Sequence, residues 1–187
     1  MIQAPASKVA MMLALVLGLT LALVRPAAAN FGSPAPDPCG KLKKGSKDWK
    51  ECMGQVKPGV NGAGSAADAA EQFTRGYWLA KTGDYAKALE VLRALPNQND
   101  AGVLTMIGYA TRHMGQVDEA LGYYGRALAL NPNMTNTRQY LGEAYLQKND
   151  VAKARIELAE IARICGSEAC VDYRDLAREI AALVGKG

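Results

Sequence analysis

The sequence predicts an all-α chain in which three helix-turn-helix repeats stack as an α-solenoid, closed by a C-terminal capping helix. Three observations predict it. A pattern of large and small apolar residues in 101–134 returns in 135–168 at a constant offset of 34. Small residues recur at matching places, Gly76, Gly108 and Gly142 in one helix and Ala88, Ala120 and Ala154 in the next. After the third copy, VDYRDLAREIAALV (171–184) spaces Tyr173, Leu176, Ile180 and Leu183 along one helical stripe. Self-similarity at such a period marks a repeat architecture.

At the N-terminus, residues 1–29 carry Lys8, an apolar run from Val9 to Val24 and the small-residue end Ala27-Ala28-Ala29. This is the pattern of a secretory signal peptide. The run falls short of the roughly 18 to 20 residues of a spanning helix, so no stable membrane insertion is expected after cleavage. A periplasmic or secreted mature chain is expected to begin near Asn30.

Losing Lys8 and Arg25 takes the 22 cations to 20 against 18 acids, a net charge near +2. Nucleic acid is not the expected partner, since the basic stripe with interleaved aromatics is missing. The one basic cluster, Lys41, Lys43, Lys44 and Lys47, reads as a solvated face or as an attachment point for anionic envelope polymers or lipid head groups.

All four cysteines lie in the exported part, and an even number in an oxidising compartment reads as disulfides. Their order in the chain pairs Cys39 with Cys52 and Cys165 with Cys170. Chain entropy assigns about 3 kcal/mol to the first closed loop and about 2 to the second. A zinc site from all four would need the two chain ends to meet, and the single histidine, His113, is remote from both.

Residues 30–67 precede the repeats. NFGSPAPDP (30–38) is too proline-rich for a helix, and PGVNGAGS (58–65) is a flexible linker. Between them the basic module CGKLKKGSKDWKEC (39–52) closes around Trp49. The sequence leaves open whether it caps the next domain or moves as an arm.

The domain at 68–187 begins with Asp68 and Glu71, spaced as a capping box. Its first copy, from Asp68, has a period of 32, because Pro96 shortens its second helix. In the second and third copies, Ile107-Gly108 falls on Leu141-Gly142, Gly115 on Asn149, Ala120 on Ala154, Tyr124 on Leu158 and Ala127 on Ile161. The small residues let paired helices approach. Tyr124 and Leu128 fill the space between neighbouring pairs, and Pro132 ends one hairpin and sets the first turn of the next helix.

Residues 69–168 resemble tetratricopeptide repeats. The middle copy matches through Leu104, Ile107-Gly108, Ala120, Tyr124, Ala127 and Pro132. The third keeps Leu141-Gly142, Tyr145 and Ala154 but has Gly166 where proline is usual, and the first has Arg75 before Gly76 where leucine is expected. The ending ICGSEACVDYRDL is similar to a cysteine-paired ending of some exported bacterial members, and the bridge would fix the angle at which the cap docks.

The resemblance implies a concave groove lined by the first helix of each repeat, holding an extended peptide or a partner's helix. It places Phe73, Tyr77 and Lys81 there from the first copy, Thr105, Tyr109, Arg112 and His113 from the second, and Asn136, Gln139, Glu143 and Gln147 from the third. Tyr77, Tyr109, Arg112 and His113 form the strongest contact cluster. The family's clamp for chaperone tails sets asparagines and lysines at such positions; tyrosines and a glutamate stand in for the asparagines here, so that ligand is not implied.

No catalytic residue, cofactor or metal is expected. His113 has neither nucleophile nor carboxylate one helical turn away, and phosphate loops and histidine clusters are missing. The expected function is non-catalytic binding of a protein or peptide. The alternatives are a thiol-disulfide participant using Cys165 and Cys170, whose spacing departs from the usual redox motif, and an envelope-associated structural protein using the basic module.

Overall fold

The computed structural model describes residues 35–55 and 66–185. The expected signal peptide and the glycine-rich linker lie outside them. The described residues form eight helices and no strand: α1 (Lys47–Gln55), α2 (Ala66–Lys81), α3 (Tyr85–Arg93), α4 (Ala101–His113), α5 (Val117–Leu130), α6 (Thr135–Gln147), α7 (Val151–Cys165) and α8 (Val171–Val184). The hairpins α2/α3, α4/α5 and α6/α7 follow one another as the period predicts, and α8 packs on both α6 and α7.

Each hairpin turns in the same way. Gly83, Gly115 and Asn149 sit at matching positions with φ of +90°, +86° and +59°. At all three the residue donates its N–H three residues back, and the next residue donates five back, as in Gly115 to Arg112 (2.9 Å) and Gln116 to Thr111 (3.1 Å). This Schellman geometry needs a left-handed residue, which glycine adopts freely and asparagine at small cost. Asn149 is thus the third copy's equivalent of a glycine.

The small residues mark close approach. A Cβ on Gly76 would lie 2.6 Å from the Leu92 side chain, and one on Gly108 would lie 2.8 Å from the Tyr124 ring. Gly142 departs from the pattern. Its close neighbour is Leu176 of α8, at 2.5 Å, rather than the Leu158 that repeat alignment places there. Leu176 is fully buried while Leu158 is only partly so. The cap therefore fills the last hairpin's small-residue notch with a side chain of its own.

Two local expectations are corrected. Helix α2 begins at Ala66, so Asp68 lies in its first turn, where a carboxylate favours the helix dipole, rather than at the cap. Pro132 lies between α5 and α6, outside the first turn of α6; its carbonyl accepts from Arg138 Nε (3.1 Å) and Nη2 (3.0 Å). Asp100 and Asp150 supply side-chain caps instead, Asp100 accepting from the N–H of Gly102 (2.8 Å) and Val103 (3.0 Å), and Asp150 from that of Lys153 (3.1 Å).

The N-terminal module docks as a cap. Trp49 and Met53 are fully buried in one cluster with Phe73 and Leu79. Asp37 accepts from Trp49 Nε1 (2.8 Å), Ala35 N–H donates to Thr74 Oγ1 (3.3 Å), and Lys44 Nζ stands 3.7 Å from the centre of the Trp78 ring. The cysteines are joined as sequence order predicts: Cys39 to Cys52 and Cys165 to Cys170, with Cα atoms 6.1 and 6.3 Å apart.

Candidate functional site: the concave groove

The helical repeat places the groove residues in three rows across α2, α4 and α6. Phe73, Thr105 and Gln139 form the first row, Tyr77, Tyr109 and Glu143 the second, and Lys81, His113 and Gln147 the third. Exposure rises from row to row. Phe73 (3%), Thr105 (1%) and Gln139 (9%) are buried, the second row is half-buried, and the third is exposed.

The first row is therefore not open surface, a correction to the expected lining. Phe73 belongs to the core beneath the N-terminal module. Thr105 Oγ1 donates to the Ala101 carbonyl (2.7 Å) and, with that proton used, accepts from Thr137 Oγ1 (2.8 Å), tying α4 to α6. Asn136 is half-buried and its side chain accepts from the Thr137 N–H (2.9 Å). The groove opens only toward the C-terminal ends of its helices.

There an aromatic bed is built from three repeats. His113 stacks flat on Tyr85 (4.8 Å between centres, 8° between planes) and tilts against Tyr109 (4.4 Å), which in turn meets Tyr140 (4.8 Å). Lys81 Nζ sits 4.7 Å from the Tyr109 ring centre and donates to Tyr140 Oη (3.3 Å). Tyr85 and Tyr140 were not legible as groove residues. Tyr85 opens a second helix, and Tyr140 aligns with the core residue Met106 of the preceding copy.

Arg112 is also corrected from open surface to a buried strut. It is 4% exposed and forms an ion pair with Glu143, whose other oxygen accepts from Gln139 Nε2 (3.0 Å). Arg112 Nη2 also donates to His113 Nε2 (3.3 Å), which requires a neutral ring protonated on Nδ1. Burial, and then the charges of Arg112 and Lys81, push the His113 pKa down to about 4, so the ring is neutral near pH 7. Burial raises the Glu143 carboxyl above its ordinary value, a rise that Arg112 and the Gln139 hydrogen bond oppose and that Glu179 reinforces.

Burial likewise lowers Lys81 and raises Tyr109 and Tyr140. Tyr124 Oη and Arg112 Nε are both buried without a hydrogen bond of good geometry. The guanidinium still lies near enough to the phenol to oppose part of the rise that burial causes.

Beside this bed is a cleft of about 410 Å³, lined by Arg112, His113, Glu143, Leu146, Gln147, Glu179, Ala182 and Leu183. Its far wall is α8, so the predicted cap also completes the groove. Among the described residues no group of three or more His, Cys, Asp or Glu side chains could hold a metal ion, and no helix is long and apolar enough to cross a membrane.

Residues 112–164 match the tetratricopeptide repeat family model. No curated protein sequence matches the chain. Among solved structures it is similar to the type III secretion translocator chaperone SycD of Yersinia enterocolitica, at 18% identity over 68% of this chain and 90% of that one, with a TM-score of 0.58. PcrH of Pseudomonas aeruginosa, at 18% identity, 68% and 97% coverage, has a TM-score of 0.54. SycD in complex with a peptide of the translocator YopD, at 18% identity, 65% and 93% coverage, also scores 0.54. The segment from α5 to α7 thus carries tetratricopeptide repeat sequence, set in a stack of helical hairpins with the same fold as these chaperones.

Proposed function

We propose that this chain is an exported, non-catalytic scaffold that holds an extended segment of a protein partner in its concave groove. The observation that carries the reading is the concentration of partly exposed aromatic and charged side chains, Tyr109, Tyr85, His113 and Lys81, beside the cleft closed by α8. Aromatic anchors on a rigid frame are the usual source of peptide affinity. The SycD complex with a YopD peptide supports the reading by showing the same fold holding a peptide. Export rests on the signal-peptide pattern of residues 1–29 and on an even set of cysteines, all four paired.

The test is capture of partners from envelope extract by the native protein and by the double variant Tyr109→Ala, His113→Ala, with thermal melts of both. A partner retained by the native protein and lost by a variant of unchanged fold supports the groove. Equal capture by both proteins rules it out. N-terminal sequencing of the protein recovered from outside the cytoplasm tests export, with a start near Asn30 expected.

A further inference from the structure

Helix α2 carries a polar clamp at the N-terminal end of the groove. Thr74 and Trp78 lie one turn apart, so their side chains share a face. The Thr74 hydroxyl donates to the Ala70 carbonyl (2.9 Å), which leaves its oxygen to accept from the Ala35 N–H (3.3 Å). Trp78 Nε1, a donor only, gives its proton to the Ala35 carbonyl (3.3 Å). The pair thus reads both backbone groups of one residue, and Pro36 beside it has no N–H to satisfy. Ala35 itself offers only a methyl group, so these two bonds make no demand on the side chain held.

The arm that fills the clamp is separable from the module behind it. Asp37 pins the module, its Oδ1 accepting from the Cys39 N–H (2.9 Å) and its Oδ2 from Trp49 Nε1 (2.8 Å), and Trp49 and Met53 are fully buried. Ala35 and Pro36 lie before that pin. The two hydrogen bonds that hold Ala35 to α2 are long, and the one from Trp78 is exposed to water. Lys44 covers one face of the indole and leaves its N–H edge to the arm. The clamp also runs into the groove, because the Trp78 ring meets Tyr77 edge-on (5.2 Å, 86°), and Tyr77 stands in one row with Tyr109.

We propose that Thr74 and Trp78 form the N-terminal subsite of the groove, taking an extended partner residue followed by proline, and that the chain's own Ala35-Pro36 arm occupies this subsite until the partner displaces it. The inference rests on the groove reading above and adds the chemistry of the occupant and a built-in competitor. The arm shows the fit. A residue before proline favours the extended backbone, and main-chain hydrogen bonds to such a segment supply affinity whatever its other side chains.

The experiment is selection from a random peptide display library on the purified full chain, on Ala35→Pro, and on Ala35→Pro combined with Trp78→Phe or with Tyr109→Ala. Ala35→Pro removes the N–H that Thr74 accepts and leaves the Asp37 pin in place, while Trp78→Phe keeps a ring and removes the donor. The chain has two tryptophans, so the indole N–H signal missing from Trp78→Phe is that of Trp78, and it is expected to exchange faster with water in Ala35→Pro. An unchanged exchange rate means that the arm is not separable and overturns the inference. The enriched peptides are expected to carry proline about threefold or more above the library, to bind Ala35→Pro about tenfold more tightly than the native chain, and to lose that gain with Trp78→Phe. Peptides that bind the native chain and Ala35→Pro equally, ignore Trp78→Phe and are lost with Tyr109→Ala overturn the inference and leave the groove standing. Peptides indifferent to both Trp78→Phe and Tyr109→Ala overturn both.

Discussion

Leu176 of α8 stands over Gly142 of α6, its Cδ2 only 2.5 Å from where a Cβ at position 142 would lie. Leu176 is fully buried and belongs to the same cluster as Ala154, Ile161 and Ile180. That contact seats the cap, and because α8 is also the far wall of the cleft, it governs the shape of the groove.

Gly142→Ala is therefore expected to overpack the seat and cost about 1 to 3 kcal/mol. Gly122→Ala, on a helix with nothing within 4 Å of the new methyl group, is expected to gain about 0.5 to 1 kcal/mol from propensity alone. Urea denaturation of the two variants checks both signs. Equal effects would break the link between Gly142 and α8.

Arg112→Ala is expected to destabilise by about 3 kcal/mol, because it strands the Glu143 carboxylate in a largely buried site. Glu143→Gln is expected to cost less, since a neutral amide can still accept from Arg112 while sparing the desolvation of a charge. Thermal melts rank the pair. Arg112, which the resemblance placed as an open groove contact, is here a strut between repeats.

Acidification is expected to charge His113 only near pH 4. With the folded pKa below the ordinary 6.5, the native state binds fewer protons than the unfolded chain between about 4 and 6.5, so His113's contribution to stability falls as pH drops through that window. Glu143, raised in the folded state, acts in the opposite sense. The groups facing the ring are Tyr85, Tyr109, Arg112 and Lys81. His113 is the only histidine, so its NMR titration gives the midpoint directly, and His113→Gln is expected to flatten the stability profile over that window.

Replacing Cys165 and Cys170 together by serine is expected to lower stability by about 2 kcal/mol, the loop-closure entropy of so short a bridge. Hydrogen exchange is expected to rise first in α8, which the bridge ties to α7. Thiol counting on protein recovered from outside the cytoplasm is expected to find none free. Two free thiols there would favour the thiol-disulfide reading over the staple.

How much of this was legible differs by length scale. The hairpins, the turns at Gly83, Gly115 and Asn149, the tight contacts at Gly76 and Gly108, the cap stripe and the cysteine order all follow from residues close in the chain, where helical periodicity and side-chain size act directly. The sequence by itself determined the stack and its closing helix for that reason. Tertiary structure alone decided that Phe73 and Thr105 are sealed, that Arg112 bridges 31 residues to Glu143, that Lys81 reaches 59 residues to Tyr140, and that α8 walls the cleft. Each of those depends on the angle between successive hairpins, which is set by many packed side chains acting together and leaves no local pattern to read.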